Sequence, residues 1–572
     1  MERLAPVLNS ERRLSSHLPF GWAQDLLDRT CWSRQKGAYS NCGKSQGDYI
    51  NPKSHLVRVH LDGAALTERL SKSCRWTMTE IDGIKALATP VNLPCDQVAA
   101  FHVPYPQGAR LNLDISDGTQ IQKIIKVEDI LVVGMGDSFA SGEGNPDVPV
   151  RFDRKRFVVY GPTIHDKKAG RAYPTRAGDW RVVGDNRFMA GKALWMGQSC
   201  HRSLYSHQMR ASLQLALNNP QRAVTFVGFA CAGAEITHGL FLRFKGNEWS
   251  LSPPRLSQIS AVAKAQCGAK AARKRHYARA FGVDNRLEIL NDLPILNCPR
   301  KIARKIDLLM LSIGGNDVGF SSLVANVIVK DTVNLKMVGG WMGRILNAVQ
   351  ARDNLKELKP RFKALRRALH NVLHIPWNEA DRILLTSYPN MSFRDEGRRI
   401  CDNGDLGMTV SPVFSLSSVR ARRAEKFADR LNVIMKRTAD LYHWSYVDSH
   451  RRAFSSHGLC AIDAARKSDL AENLHLPFWD GEKWDPFNPA DYAPYASRSR
   501  WFRTPNDAYL TGHLHLSGPV IRNIFKIKGF SQLQVLIAGT YSGAFHPTAE
   551  GQAVIADAVV EKAEKVLAKY RR

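Results

Sequence analysis

The run Ile130-Leu131-Val132-Val133-Gly134-Met135-Gly136-Asp137-Ser138-Phe139-Ala140-Ser141-Gly142-Glu143-Gly144 decides how the chain reads. A short β-prone run opens it, and a serine in a glycine-rich turn follows at once. That order sets the Ser138 hydroxyl at the carboxyl end of a strand, where open α/β sheets bind ligands. Two further segments share the logic. Ser312-Ile313-Gly314-Gly315-Asn316-Asp317 follows the strand-like Ile306 to Leu311, and Phe545-His546-Pro547-Thr548 precedes a last helical segment. A serine hydroxyl, glycine-rich amide donors, an asparagine and a histidine are the parts that acyl transfer needs.

Outward from Ser138, strand candidates at 129–134, 223–230, 306–313, 382–387 and 443–447 alternate with helical stretches. Tyr205 to Leu217 carries Met209, Leu213, Ala216 and Leu217 on one face; residues 421–440 repeat Phe427, Leu431, Ile434 and Met435 at helical spacing. Such alternation predicts right-handed crossovers and a parallel sheet. The expected fold is therefore α/β: a three-layer α/β/α arrangement on a five-stranded parallel sheet in a flavodoxin-like order. Ser138, Gly233 (in Phe229-Ala230-Cys231-Ala232-Gly233-Ala234) and Asn316 each follow a parallel strand and so share one edge; for them to meet, the first strand must lie between the second and third, as a flavodoxin-like order places it. The long gaps 147–195, 235–300, 320–380 and 462–540 hold insertions expected to shape the pocket.

The chain before this region reads differently. Residues 1–50 form an irregular extension. Residues 51–127 hold short alternating runs (Leu56 to Leu61, Cys74 to Met78, Val98 to Val103, Ala109 to Ile115) with Pro94, Gly108 and Gly118 as turn signals, the pattern of a small β-sandwich-like domain.

Composition narrows the function classes. The 572 residues carry a formal charge of +28, which favours contact with an anionic surface but does not choose among phospholipid, acidic glycan and nucleic acid. A dense cluster at Lys264, Lys270, Arg273, Lys274, Arg275 and Arg279 reads most simply as a solvated helical face. No zinc-finger or RNA-binding aromatic motif is present, so no nucleic-acid partner is expected. No apolar run of about 18 residues occurs, so no transmembrane segment is expected. The sequence lacks H-E-x-x-H and any compact ligand series, and no metal or cofactor is expected. The ten cysteines contain no C-x-x-C and read as disulfides of an oxidising compartment. Met1 to Phe20 has no apolar signal core, so either no cleaved signal exists or the chain has been re-started.

With these blocks in order, the chain resembles the SGNH, or GDSL-type, hydrolase family. Ser138 in Gly136-Asp137-Ser138 matches its nucleophile, Gly233 its second block, Asn316 in Gly314-Gly315-Asn316-Asp317 its third, and His546 its last. The resemblance is more specific to the actinobacterial secreted-esterase branch. Gly142-Glu143-Gly144, Cys200-His201-Arg202-Ser203, Ala230 to Ala234, and the His457/Cys460 pair echo that branch's motifs. It covers roughly 128–565 and makes 128–572 a hydrolase domain with large insertions.

The resemblance implies a serine carboxylic-ester hydrolase of esterase or lipase type. It would work through a Ser138 acyl-enzyme, with His546 as general base and the Ser138 N–H, the Gly233 N–H and the Asn316 amide as oxyanion donors. The alternatives are a glycan O-deacetylase or phospholipase of the same fold, or a catalytically inactive surface-binding protein. The expected partner is an ester substrate, a lipid or an acylated glycan, met in a secreted or periplasmic setting. Most of the wider family carries Asp three residues before the base; here that position is Gly543. By resemblance to enzymes with a Ser–His dyad, the Gly543 carbonyl is expected to hold the Nδ1–H of His546, with Asp507 as the alternative acid. Disulfides are expected at Cys31–Cys42, Cys74–Cys95, Cys200–Cys231 and Cys267–Cys298, with Cys401–Cys460 implied by the branch.

Overall fold

Ile130 and Val132 face one side of the strand built from the nucleophile run, Leu131, Val133 and Met135 the other, and all five are buried. A strand apolar on both faces must lie in a sheet covered on both sides. The computed structural model describes residues 6–29, 32–33, 38–39, 49–152, 161–162, 172–173, 189–191, 193–246, 253–268, 270–277, 293–328, 348–393, 399–404, 407–408, 414–462, 489–511 and 543–570. It contains that sheet. The strands are Glu128–Gly136 (β1), Arg222–Gly228 (β2), Leu308–Ser312 (β3), Ile383–Thr386 (β4) and Ser445–Val447 (β5). All pairings are parallel and the order is β2-β1-β3-β4-β5, as expected.

Helices Val7–His17 (α1), His207–Asn218 (α2) and Ala549–Tyr570 (α7) contribute to the core on the Ile130/Val132 side. Gln258–Gln266 (α3), Ala348–Asn371 (α5) and Ser418–Tyr442 (α6) supply most of the opposite layer, while Phe320–Ile328 (α4) starts just beyond the Asn316 turn. The result is a three-layer α/β/α fold.

Residues 1–50 depart from the irregular reading. α1 buries Val7, Glu11 and Ser15, one face at helical spacing, but two of the three are polar and mask the apolar periodicity. Glu11 is held by the Arg210 guanidinium and by Trp22 Nε1 at 3.0 Å, while Asp557 of α7 accepts the Val7 N–H at 2.6 Å and the Leu8 N–H at 3.1 Å. Tertiary partners, absent from any local window, make this helix.

Two antiparallel sheets follow. Ser54–Val59 pairs with Ala99–Pro104; Val91–Pro94, Ser73–Thr79, Ala109–Ile115 and Gln120–Ile125 form the second. Trp76, Met78, Phe101, Val103, Leu111 and Leu113 share their core, and Cys74–Cys95 closes one edge. The basic cluster divides: Lys264 lies on α3 as expected, Arg279 is outside the described residues, and the middle of the run is corrected. Arg273–Tyr277 is an antiparallel strand against Leu293–Asn297, not a helix, because Leu293, Ile295 and Asn297 bury on alternate positions while Arg273, Lys274 and Arg275 face water. Cys200–Cys231, Cys267–Cys298 and Cys401–Cys460 are bonded as expected; Cys31 and Cys42 lie outside the described residues. Among the described residues no helix is long and apolar enough to cross a membrane.

Candidate functional site

The parallel sheet ends β1, β2 and β3 at one edge, and their following turns are stitched together there. Asp137 N–H donates to the Ser312 carbonyl at 2.9 Å, and Cys231 N–H to the Gly136 carbonyl at 3.1 Å. Asp137 caps the single turn Ser138–Ser141, accepting the Phe139 N–H at 3.1 Å. Its other oxygen accepts the Tyr388 hydroxyl, which in turn accepts the Gly315 N–H at 2.9 Å. Tyr388 thus couples the Ser138 turn to the Asn316 turn. Burial pushes the Asp137 carboxyl up to about 7, opposed by these hydrogen bonds.

Gly233 takes φ +85°, a left-handed conformation that glycine adopts without strain. Among the described residues neither the Ser138 nor the Gly233 main-chain N–H donates to a protein acceptor. Asn316 spends one amide hydrogen on the Ala234 carbonyl at 3.0 Å, which fixes its side chain and leaves the second hydrogen. Asp317 accepts the Ile236 N–H at 3.1 Å and pairs with Arg361 at 2.5 Å, locking the same two turns behind the site. These unspent donors at one sheet edge suit a developing oxyanion.

His546 comes from the other end of the chain. Arg503 holds its loop: Arg503 N–H donates to the His546 carbonyl at 2.9 Å, and Phe545 N–H to the Arg503 carbonyl at 2.7 Å. Phe545 sits at φ +66°, a strained conformation for an aromatic residue. The imidazole packs on Phe139, next to the serine, with ring centroids 5.3 Å apart. Its Nδ1 lies 3.0 Å from the Ala544 carbonyl. A carbonyl only accepts, so Nδ1 carries the proton and Nε2 keeps its lone pair. Burial, the dominant influence, lowers the His546 pKa, so the ring is neutral in neutral solution.

Two expectations are refined here. The hydrogen-bonding carbonyl is that of Ala544, one residue beyond Gly543; the Gly543 carbonyl is a second, weaker main-chain influence on the ring. The +66° at Phe545 sets the pitch of this loop, which residue counting does not reveal. Asp507 is not the acid: it pairs with Arg503 at 2.9 Å and accepts the Tyr492 hydroxyl, fully buried. Among the described residues no hydrogen bond joins Ser138 Oγ to Nε2, a contact that ligand-free sites often leave loose.

Other histidines are accounted for in part. His238 is exposed, His443 ends α6 in a left-handed turn, and His513 and His515 lie outside the described residues. His457 stacks on Trp501 at 3.7 Å, and Trp501 in turn accepts the Thr548 N–H at 2.8 Å, buttressing the base loop. Sequence reasoning missed Tyr388, Asn145 and Arg503. Asn145 Nδ2 donates to the Pro547 carbonyl at 2.8 Å and Asn145 Oδ1 accepts from Arg503 at 3.0 Å; buried single polar residues of this kind carry no motif signal. Among the described residues no cluster of His, Cys, Asp or Glu is arranged to hold a metal.

No family model matches the sequence, and no curated protein does. Among solved structures the chain is similar to phospholipase A1 from Streptomyces albidoflavus, at 15% identity over 58% of this chain and 84% of that one, with a TM-score of 0.27. It is similar to an extracellular lipase from Streptomyces rimosus at 15% identity, covering 59% and 85%, TM-score 0.26. A carbohydrate esterase described as having catalytic and non-catalytic binding functions aligns at 10% identity, covering 69% and 82%, TM-score 0.20.

Proposed function

We propose that the chain is a serine carboxylic-ester hydrolase of SGNH type, with Ser138 as nucleophile and His546 as general base. The observation that carries this reading is the tautomer of His546. Its Nδ1–H is spent on a backbone carbonyl, so the basic Nε2 is the nitrogen left for a serine proton. In the proposed cycle Nε2 takes the Ser138 Oγ proton as Oγ bonds to the ester carbonyl carbon. The oxyanion is received by the Ser138 and Gly233 N–H groups and the second Asn316 amide hydrogen. Collapse breaks the bond to the alcohol, which leaves with the proton from His546; water then repeats the sequence on the acyl-enzyme.

A narrow, mostly apolar crevice lies beside the loop that carries His546 and does not by itself select between an aliphatic acyl group and the acetyl of a glycan. Phe545, Phe320, Val324, Val327, Met391 and Leu459 line it together with Ser392 and Glu425, and its space of about 20 Å³ holds roughly one water. Phe320 stacks on Tyr388 at 6.5 Å, and Tyr388 meets Phe139 edge-on at 5.0 Å, so the apolar wall is continuous with the nucleophile turn. The four disulfides fit an oxidising, extracytoplasmic setting. Residues 51–127 are proposed as a separate β-rich domain and 128–572 as the hydrolase domain.

Ser138→Ala should abolish turnover of p-nitrophenyl esters in a protein that folds normally, and a fluorophosphonate probe should label Ser138 of the parent. Ordinary turnover by folded S138A refutes the assignment. A parent that neither turns over esters nor takes the label is instead the inactive binding protein.

A further inference from the structure

Resting on the hydrolase reading, we propose that Glu143, held by His201, is the anionic positioning residue for the His546 base. It acts from behind the nucleophile turn, in place of the side-chain acid that position 543 lacks.

Glu143 is wholly buried, and a buried carboxylate costs several kcal/mol unless it is paired. One partner is His201, whose Nδ1 lies 2.8 Å and 3.0 Å from the two carboxylate oxygens. His201 is itself buried and stacked flat on Trp195, 4.5 Å between centroids and 10° between planes. An apolar pair of similar shape would fill this space at less cost, so packing does not explain the charge.

Position does explain it. Glu143 N–H donates to the Ser138 carbonyl at 3.1 Å, which puts the residue in the nucleophile's own turn. Gly144, at φ +90°, lies so close to the base loop that a Cβ there would sit 3.1 Å from the Gly543 carbonyl oxygen and 3.4 Å from His546 Cβ. On the other side, Ala232 N–H donates to the Cys200 carbonyl at 3.1 Å and Cys200 is bonded to Cys231, so His201 is tied to the strip that carries Gly233. The Glu143–His201 pair therefore touches the nucleophile turn, borders the base loop and is anchored to the Gly233 turn.

The charge has the right sign. In the transition state His546 becomes an imidazolium, and a carbonyl on Nδ1 supplies only a dipole. Glu143 raises the proton affinity of His546, against burial and against His201, which both lower it. The other ionisable groups around the ring are engaged elsewhere. The Arg503 guanidinium is bound to Asp507 and Asn145, Asp137 to Tyr388, and His207 to Gln552 at 2.8 Å.

The test is the pH profile of kcat/KM for p-nitrophenyl butyrate in full-length protein carrying Glu143→Gln, which keeps the shape and removes the charge. The expected result is an acid limb displaced downward by about one pH unit and a plateau about tenfold lower at unchanged KM. Glu143→Asp should restore the parent acid limb. An unmoved limb in folded E143Q, with loss of thermal stability alone, overturns the proposal. A second reading is NMR titration of the His546 imidazole in S138A and in S138A/E143Q. A lower pKa in the double variant supports the anion, and equal values in the two overturn it. If the parent hydrolyses no ester, the hydrolase reading fails by that result alone, and the titration still decides whether Glu143 acts on His546.

Discussion

Two regions of the molecule bury their side chains by opposite rules. In the paired sheets between residues 54 and 125 every buried side chain is apolar or a half-cystine. At the carboxyl edge of the parallel sheet the buried set includes Asp137, Glu143, Asn145, Asp147, His201, Arg503 and Asp507. Desolvating such groups is costly, and each is answered by a specific partner: Tyr388 for Asp137, His201 for Glu143, Leu204 N–H at 2.7 Å for Asp147, Arg503 for Asp507. The first region is held by area removed from water; the second by a polar lattice that also sets the loops bearing Ser138, Gly233, Asn316 and His546. Mutation should therefore leave chemistry untouched in the first region, and in the second should couple stability to chemistry wherever it breaks one of these buried pairs.

The largest contrast is at the base. His546→Ala should lower kcat/KM by at least about a thousandfold with little change in unfolding free energy, read from ester kinetics beside urea titration. Next is Arg503→Met, which takes the nearest charge partner from the buried Asp507 carboxylate and the guanidinium bond from Asn145, whose amide holds the Pro547 carbonyl beside His546. It should cost about 3–5 kcal/mol and most of the activity together; a stable, active R503M would break the comparison. Phe101→Ala, in the apolar region, should cost about 3 kcal/mol by cavity formation while the folded fraction keeps its kcat. Replacing both Cys74 and Cys95 by alanine, which opens a loop of sequence separation 21, should cost a similar 3 kcal/mol or so, again without a change in kcat.

The smallest effect is a slope. Burial lowers the His207 pKa to about 4, opposed by Gln552 and the Phe139 carbonyl, and among the described residues its Nε2 has no well-formed hydrogen bond. Between pH 6.5 and about 4 the unfolded chain binds a proton there that the native state refuses, so stability falls as the pH falls, by roughly 1 kcal/mol per unit. His207→Gln should flatten that part of the stability profile, and an unchanged slope would mean that other groups dominate acid unfolding.

How much of this was readable follows from the range of the forces involved. β1 to β5 were legible because a strand buried on both faces must be apolar at consecutive positions, as Ile130 to Val133 are, whatever it packs against. The edge position of Ser138, Gly233 and Asn316 followed from chain direction in a parallel sheet. α1 was not legible, because Glu11 becomes a core residue only when Arg210 and Trp22 arrive from elsewhere. Nor was the strand at Arg273–Tyr277, whose solvent-facing charges say nothing of the Leu293–Asn297 strand beneath them.

By itself, then, the sequence determined the layer order, the sheet topology and the stations of serine, glycine, asparagine and histidine along the chain. The layers depend on local periodicity and connectivity; the strand order and the four stations rest on the blocks that resemble a known family. Tertiary structure decided which carbonyl receives His546 Nδ1, that Asp507 belongs to Arg503, and that Glu143 meets His201 beside the base loop. Those pairings join residues far apart in the chain or turn on a single backbone angle at Phe545. The physical reason is that the orientation of a buried polar group is set by whichever partner reaches it, and no local pattern records that partner.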